Sequence, residues 1–87
     1  MPDLYIARIE PAAQRDLRGL GEMLMKRILA ECDRLQRDRR HPGTQKLKGY
    51  DVQWRVRVGD YRILYEIHDQ EREVRIFRVA HRREAYR

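Results

Sequence analysis

The chain of 87 residues contains no serine and only one cysteine, Cys32. Without serine there is no serine nucleophile, and a lone cysteine can form neither an internal disulfide nor a thiolate metal site. The histidines at positions 41, 68 and 81 are scattered, and no glycine-rich phosphate loop is present. These absences exclude most enzyme chemistries, and we expect no cofactor and no metal. Cys32 lies in a helical pattern, which predicts a small core residue and suits a reducing cytoplasm.

Long hydrophobic runs are also missing. No apolar stretch approaches the roughly 20 residues that a membrane-spanning helix needs. The first three residues lack the basic and apolar regions of a signal peptide. We therefore expect a cytoplasmic location and no membrane association.

Basic residues outnumber acidic ones by 20 to 14, so the formal net charge is +6. Such a charge favours an acidic partner, such as nucleic acid or an acidic protein. Although 39% of the residues are charged, 41% are hydrophobic and fall in periodic runs, which indicates a folded chain. The length fits one domain, and no linker or repeat divides it, so residues 1–87 are predicted to form a single domain.

The apolar periodicity predicts an α+β fold. A strand is expected at residues 4–9, a short helix opens at Pro11, and a longer helix spans residues 22–37. The apolar stripe of the longer helix is Leu24, Met25, Ile28, Leu29, Cys32 and Leu35. Residues 39–44 are predicted as a loop and residues 45–49 lead into the hairpin, with strands at 52–58, 61–67 and 74–79. This order predicts an N-terminal strand, a two-helix hairpin and an antiparallel β-meander, with the helices packed on one face of the sheet.

The first two strands of the meander are predicted to place two arginines directly opposite each other. Gly59 and Asp60 form a two-residue turn, which sets the register of the hairpin. Arg57 then faces Arg62 on the open side of the sheet, with Arg55 two residues along, while apolar residues pair on the covered side. Like charges directly opposite each other destabilise a sheet. This face therefore either holds an anion or is a solvated basic surface, and the hairpin alone leaves both readings open.

Clustered arginines suit a phosphodiester. Guanidinium groups bind phosphate through two hydrogen bonds, and they can stabilise the negative charge that develops when the phosphate is attacked. RNA supplies its own nucleophile, the 2′-hydroxyl group. A ribonuclease without a metal therefore has only to align that group, move two protons and neutralise the transition state.

Four segments carry a resemblance to a known family: residues 11–17, 46–49, 54–65 and 81–87. Together they resemble the RelE toxins of the RelE/ParE superfamily. The resemblance implies a fold like that of small microbial ribonucleases and a toxin that cuts messenger RNA in the ribosomal A site. It also implies that an acidic, RelB-like antitoxin holds the toxin inactive in a heteromeric complex.

The resemblance implies a role for individual residues. The basic catalytic strand positions of the family fall on Arg55 and Arg57, its phosphate-binding arginine on Arg62, and its C-terminal arginine and tyrosine on Arg82 and Tyr86. Some relatives carry lysine at the two strand positions. Arginine cannot lose its proton at working pH, so a general-base role does not transfer to either of them.

Proton transfer then falls to His81 or Tyr86, and the sequence does not decide between them. Further contacts with the RNA are expected from Lys46, Lys48 and Arg83. Two other functions stay open. ParE-like members of the superfamily inhibit DNA gyrase by binding, and a plain basic RNA-binding module would also explain the charge.

Overall fold

The computed structural model describes residues 3–83, and these form a five-stranded sheet with two helices. The elements, in chain order, are β1 (Ile6–Ile9), α1 (Pro11–Arg18), α2 (Glu22–Arg37), β2 (Thr44–Lys46), β3 (Gln53–Val58), β4 (Tyr61–His68) and β5 (Glu73–His81). The predicted α+β class and the order of strand, two helices and meander are confirmed. No helix in this part of the chain is long and apolar enough to cross a membrane.

The strand order in the sheet is β1-β5-β4-β3-β2. Strands β3, β4 and β5 form the predicted antiparallel meander. The N-terminal strand β1 joins the outer side of β5 in parallel. The sequence predicted a loop at residues 39–44 and no strand before residue 52, but β2 pairs antiparallel with β3 at the opposite edge of the sheet. Its sequence, Thr-Gln-Lys, is short and polar without apolar alternation, so pairing with β3 rather than local preference makes it a strand.

The core lies between the helices and one face of the sheet. Ile28 and Leu35 of α2 pack in the same buried cluster as Ile63 and Tyr65 of β4. Cys32 is only 4% exposed, which confirms it as a core residue. The core-facing stripe of α2 is narrower than predicted, because Leu29 is 41% exposed. Residue 29 follows Ile28 by about 100° around the helix, which turns its side chain away from the sheet.

Candidate nucleic-acid interface

The hairpin of β3 and β4 has the predicted register. Val58 pairs with Tyr61, and Arg57 pairs with Arg62. Gly59 adopts a positive φ of 58°, which a side chain would disfavour and which the tight turn requires. Because successive side chains point to opposite faces, the arginine pair lies on the face away from the helices. The opposed arginines therefore follow from the turn and from the burial of the apolar face.

A β-bulge in β5 decides which C-terminal residue reaches this face. Leu64 pairs with Arg78 whereas Tyr65 pairs with Ile76, so β5 carries one extra residue at this point. An extra residue reverses the facing of every side chain beyond it. As a result Ala80 pairs with Arg62 on the open face.

His81 consequently lies on the other side of the sheet. It pairs with Tyr61, and the two rings meet edge to face with centroids 5.3 Å apart. Simple alternation from the start of β5 would have placed His81 on the open face. The structure does not bring His81 together with the arginines. Arg82 follows on the open side, with its N–H donating to the carbonyl oxygen of Asp60 at 2.8 Å.

The arginines converge on a shallow hollow of about 240 Å³. Its lining residues are Gly43, Gln45, Arg55, Arg57 and Arg62. Gln45, on the edge strand β2, pairs with Arg55 in the sheet. Its Oε1 accepts hydrogen bonds from Arg55 Nε at 3.1 Å and from Nη2 at 2.6 Å. A neutral amide therefore orients the Arg55 guanidinium without cancelling its charge.

Arg62 occupies the most crowded position of this hollow. Partial burial lowers the pKa of its guanidinium, and the charges of Arg55, Arg57 and Arg82 lower it further. Arginine nevertheless stays protonated at working pH. The cluster thus concentrates positive charge on one spot, and a bound phosphate would relieve both the repulsion and the loss of hydration.

The far end of the open face is different, because carboxylates lie among its basic groups. Glu66 Oε1 lies 2.9 Å from His68 Nε2. Glu73 accepts a hydrogen bond from Arg75 at 2.9 Å and forms an ion pair with Arg8 at 3.3 Å. A hydrogen bond from Arg75, with support from the charge of Arg8, lowers the pKa of Glu73. Positive charge on this face is therefore concentrated at the end formed by the hairpin turn and β2.

Sequence reasoning missed the buried residues that hold the edge of the hollow. His41 is 4% exposed and its Nε2 lies 2.8 Å from Glu31 Oε2 on α2. Its Nδ1 accepts the N–H of Gly43 at 3.0 Å, which assigns the proton of the neutral ring to Nε2. A Cβ on Gly43 would lie 2.9 Å from the ring carbon Cε1 of His41, so only glycine fits. The sequence signal for this ordered loop was the motif His-Pro-Gly followed by Thr44. Both the hydroxyl group and the N–H of Thr44 donate hydrogen bonds to the His41 carbonyl oxygen.

Of the remaining predicted contact residues, Lys46 and Lys48 line one depression together with Arg55. Lys46 pairs with Trp54, so strand alternation directs its side chain to the helix side, away from Gln45. Lys48 is exposed in the turn before β3, and Arg83 is exposed after β5. Tyr86 lies outside the described residues. Among residues 3–83, no three His, Cys, Asp or Glu side chains form a group that could hold a metal ion.

Comparison with known protein families identifies the class to which this small domain with its basic hollow belongs. A family model described as the ParE toxin of the type II toxin–antitoxin system parDE matches residues 7–86. The chain therefore belongs to this family of type II toxins within the RelE/ParE superfamily. No curated protein sequence matches the chain significantly.

Several solved structures of RelE toxins are similar to this chain. The RelBE2 toxin–antitoxin complex of Mycobacterium tuberculosis is 29% identical with a TM-score of 0.80, covering 90% of this chain and 98% of that one. The RelE–RelB complex of Pyrococcus horikoshii is 25% identical with a TM-score of 0.79, covering 94% and 99%. The Escherichia coli RelE toxin in the free state is 18% identical with a TM-score of 0.81, covering 94% of this chain and 87% of that one. At this identity the likeness supports the fold alone.

Proposed function

We propose that this toxin is an endoribonuclease that cleaves messenger RNA on the ribosome and so inhibits translation. The observation that carries the proposal is the convergence of Arg55, Arg57 and Arg62 on one hollow, beside Arg82. A purely solvated basic face would not need a neutral glutamine to orient one arginine or a buried histidine to hold the neighbouring loop.

In the proposed mechanism the arginines bind the scissile phosphate and neutralise its transition state. Arg62 sits at the centre of the cluster, and its neighbours Arg55 and Arg57 approach from β3. Attack by the 2′-hydroxyl adds negative charge to the phosphoryl oxygens, and fixed guanidinium groups stabilise that charge without reorganisation. The reaction proposed here uses no metal and no cofactor. Its products are a 2′,3′-cyclic phosphate, or the 3′-phosphate formed from it, and a free 5′-hydroxyl.

Proton transfer is assigned to the C-terminal segment. Each arginine of the hollow stays protonated and cannot act as a general base. His81 packs against Tyr61 on the helix side, so it is a poor candidate for reaching the phosphate. Tyr86 remains the proposed acid or base, with Arg82 supplying charge that favours its phenolate.

An antitoxin is the proposed partner. The similar proteins of Mycobacterium tuberculosis and Pyrococcus horikoshii were solved as complexes of RelE-type toxins with RelB-type antitoxins. The net charge of +6 favours fast association with an acidic segment, and this association should slow as ionic strength rises. Co-expression with the product of the neighbouring gene, followed by pull-down, tests this partner. A neighbour that neither binds nor rescues growth would contradict it.

Inhibition of DNA gyrase by binding is the second candidate, and the ParE family model is the observation that favours it. One experiment separates the two functions. Purified protein is added in parallel to translating ribosomes and to a gyrase supercoiling reaction, and RNA ends are mapped in the first. We expect new RNA ends and undisturbed supercoiling. Inhibited supercoiling without RNA cleavage would replace the proposed function by the second candidate.

A further inference from the structure

The turn between β2 and β3 presents an exposed aromatic ring beside the arginine hollow. Leu47 N–H donates to the carbonyl oxygen of Gln53 at 2.8 Å, and Tyr50 N–H donates to that of Leu47 at 3.4 Å. Gly49 has a positive φ of 84°, which allows this tight reversal of the chain. The backbone thus orders the turn while the Tyr50 side chain, 57% exposed, lies outside the core.

The surface around Tyr50 is continuous with the arginine hollow. A depression of about 310 Å³ is lined by the last two residues of β2, by Leu47, Lys48 and Tyr50 of the turn, and by Arg55. Gln45 and Arg55 line both this depression and the arginine hollow. The Gln45–Arg55 hydrogen bonds form the shared wall, so a chain that leaves the phosphate site along β2 passes directly to Tyr50.

The chemistry of this surface fits one nucleotide of a single strand. Bases of single-stranded RNA stack on exposed aromatic rings, and their phosphates bind nearby cationic groups. Lys48 and Arg55 line the same depression as Tyr50, so an anionic strand meets positive charge beside the ring. An acidic peptide would satisfy the charges but would leave the flat ring without a planar partner.

We propose that Tyr50 forms a stacking subsite for the base of the nucleotide next to the scissile phosphate. This inference rests on the proposed function, since it takes the arginine hollow as the phosphate site. It assigns to the turn a role in selecting where the RNA is cut, because stacking strength differs among bases.

The test compares Tyr50→Ala with Tyr50→Phe, which keeps the ring and removes only the hydroxyl group. Binding of each antitoxin-free protein to a short single-stranded RNA is measured at low ionic strength, with melting temperatures as a check on folding. We expect Tyr50→Ala to bind about 5- to 100-fold more weakly, the effect of one stacked base, and Tyr50→Phe to stay within about twofold. Oligonucleotides lacking one base at a time supply the second arm. Removing one particular base should weaken RNA binding by the wild type to a similar degree and leave RNA binding by Tyr50→Ala unchanged.

Several results would overturn the subsite. They are absence of RNA binding by the wild type, equal binding by wild type and Tyr50→Ala, or a loss in Tyr50→Ala that no single base removal reproduces. Weakened binding of the antitoxin with unchanged RNA binding would likewise assign the ring to a protein contact. The proposed function is judged separately, by cleavage on ribosomes. If Arg62→Ala loses RNA binding and Tyr50→Ala does not, the arginine hollow stands and the subsite falls.

Discussion

Arg62 is the residue at which the energetic cost of the site is most visible. It faces Arg57 across the hairpin, and burial and three neighbouring arginines lower the pKa of its guanidinium. Residues that serve only the fold do not gather like charges in this way, because each such pair destabilises the sheet. The pairing of Arg57 with Arg62 was predictable from the turn alone, whereas the approach of Arg82 was not.

Replacing Arg62 by alanine should separate function from stability. We expect Arg62→Ala to abolish toxicity, because a transition-state contact of this kind is worth about 100-fold or more in rate. Its free energy of unfolding should stay the same or rise by a few tenths of a kcal/mol, because one of two opposed charges is gone. Growth assays and thermal melting on the same variant check both parts.

Arg8→Ala is the matched control, since Arg8 lies on the same face but pairs with Glu73 outside the hollow. It should retain toxicity. Lower stability with retained toxicity in Arg62→Ala would mean that Arg62 serves the fold.

Cys32 provides a probe of global unfolding. Burial raises the pKa of its thiol to about 12, and the thiolate is the reactive form. We expect the native protein at about pH 8 to react very slowly with a thiol-specific alkylating reagent, and the protein in urea to react at the rate of a free thiol. Rapid labelling of the native protein would contradict the buried position.

Among the elements, the β3–β4 hairpin was predictable, β5 was only partly predictable, and β2 was not predicted. A two-residue turn and period-two alternation determine a register locally, which is why the pairs from Val58–Tyr61 to Trp54–Tyr65 agree with the prediction. The bulge in β5 depends on a distant residue, since Asp16 of α1 accepts the Val79 N–H at 2.8 Å just beyond it. Such a contact leaves no periodic signal in the strand itself.

The loop before β2 should depend on His41. In His41→Ala, Glu31 loses its partner in a buried position and Gly43 N–H loses its acceptor. We expect the free energy of unfolding to fall by about 1–3 kcal/mol. RNA binding should weaken as well, because Gly43 lines the arginine hollow. Urea unfolding and oligonucleotide binding measure the two effects.

His68→Ala is the control for this loss, since His68 also pairs with a glutamate but lies nearer the surface. The free energy of unfolding of His68→Ala should fall by less than about 1 kcal/mol. Equal losses in the two variants would show that the His41 network does not support the loop.

At the scale of the molecule, the carboxylates of Glu66 and Glu73 leave the hairpin end of the open face as its most positive part. The α+β class and the element order were predictable from periodicity and from the family resemblance. The parallel pairing of β1 with β5 was not predicted, because it joins residues more than sixty positions apart. Tyr5 and Asp69 are also more than sixty positions apart, and the Tyr5 hydroxyl donates a hydrogen bond to the Asp69 carboxylate at 2.7 Å.

Stability should fall in acid as the carboxylates of Asp69 and Glu73 take up protons. Hydrogen bonds from Arg40 and Tyr5 hold the pKa of Asp69 below its ordinary value, and a hydrogen bond from Arg75 does the same for Glu73. The unfolded chain therefore binds protons more readily than the folded one. The stabilisation is complete above the ordinary pKa values, about 3.9 and 4.3, and is lost as the pH falls through the lowered ones. Urea unfolding between about pH 2 and pH 6 measures the decline.

Asp69→Asn checks the assignment. It should be less stable than the wild type near neutral pH and should lose less stability in acid. An unchanged dependence on pH would exclude Asp69 from the acid response.

The proposed function requires the arginine hollow to cleave RNA on the ribosome. The most direct measurement maps the RNA ends produced when purified wild type and Arg62→Ala are added to ribosomes translating a defined messenger. We predict new ends with the wild type only, carrying a 2′,3′-cyclic phosphate or 3′-phosphate on one side and a free 5′-hydroxyl on the other. Ends bearing a 5′-phosphate, or equal cleavage by Arg62→Ala, would contradict the proposed cleavage by the arginine hollow.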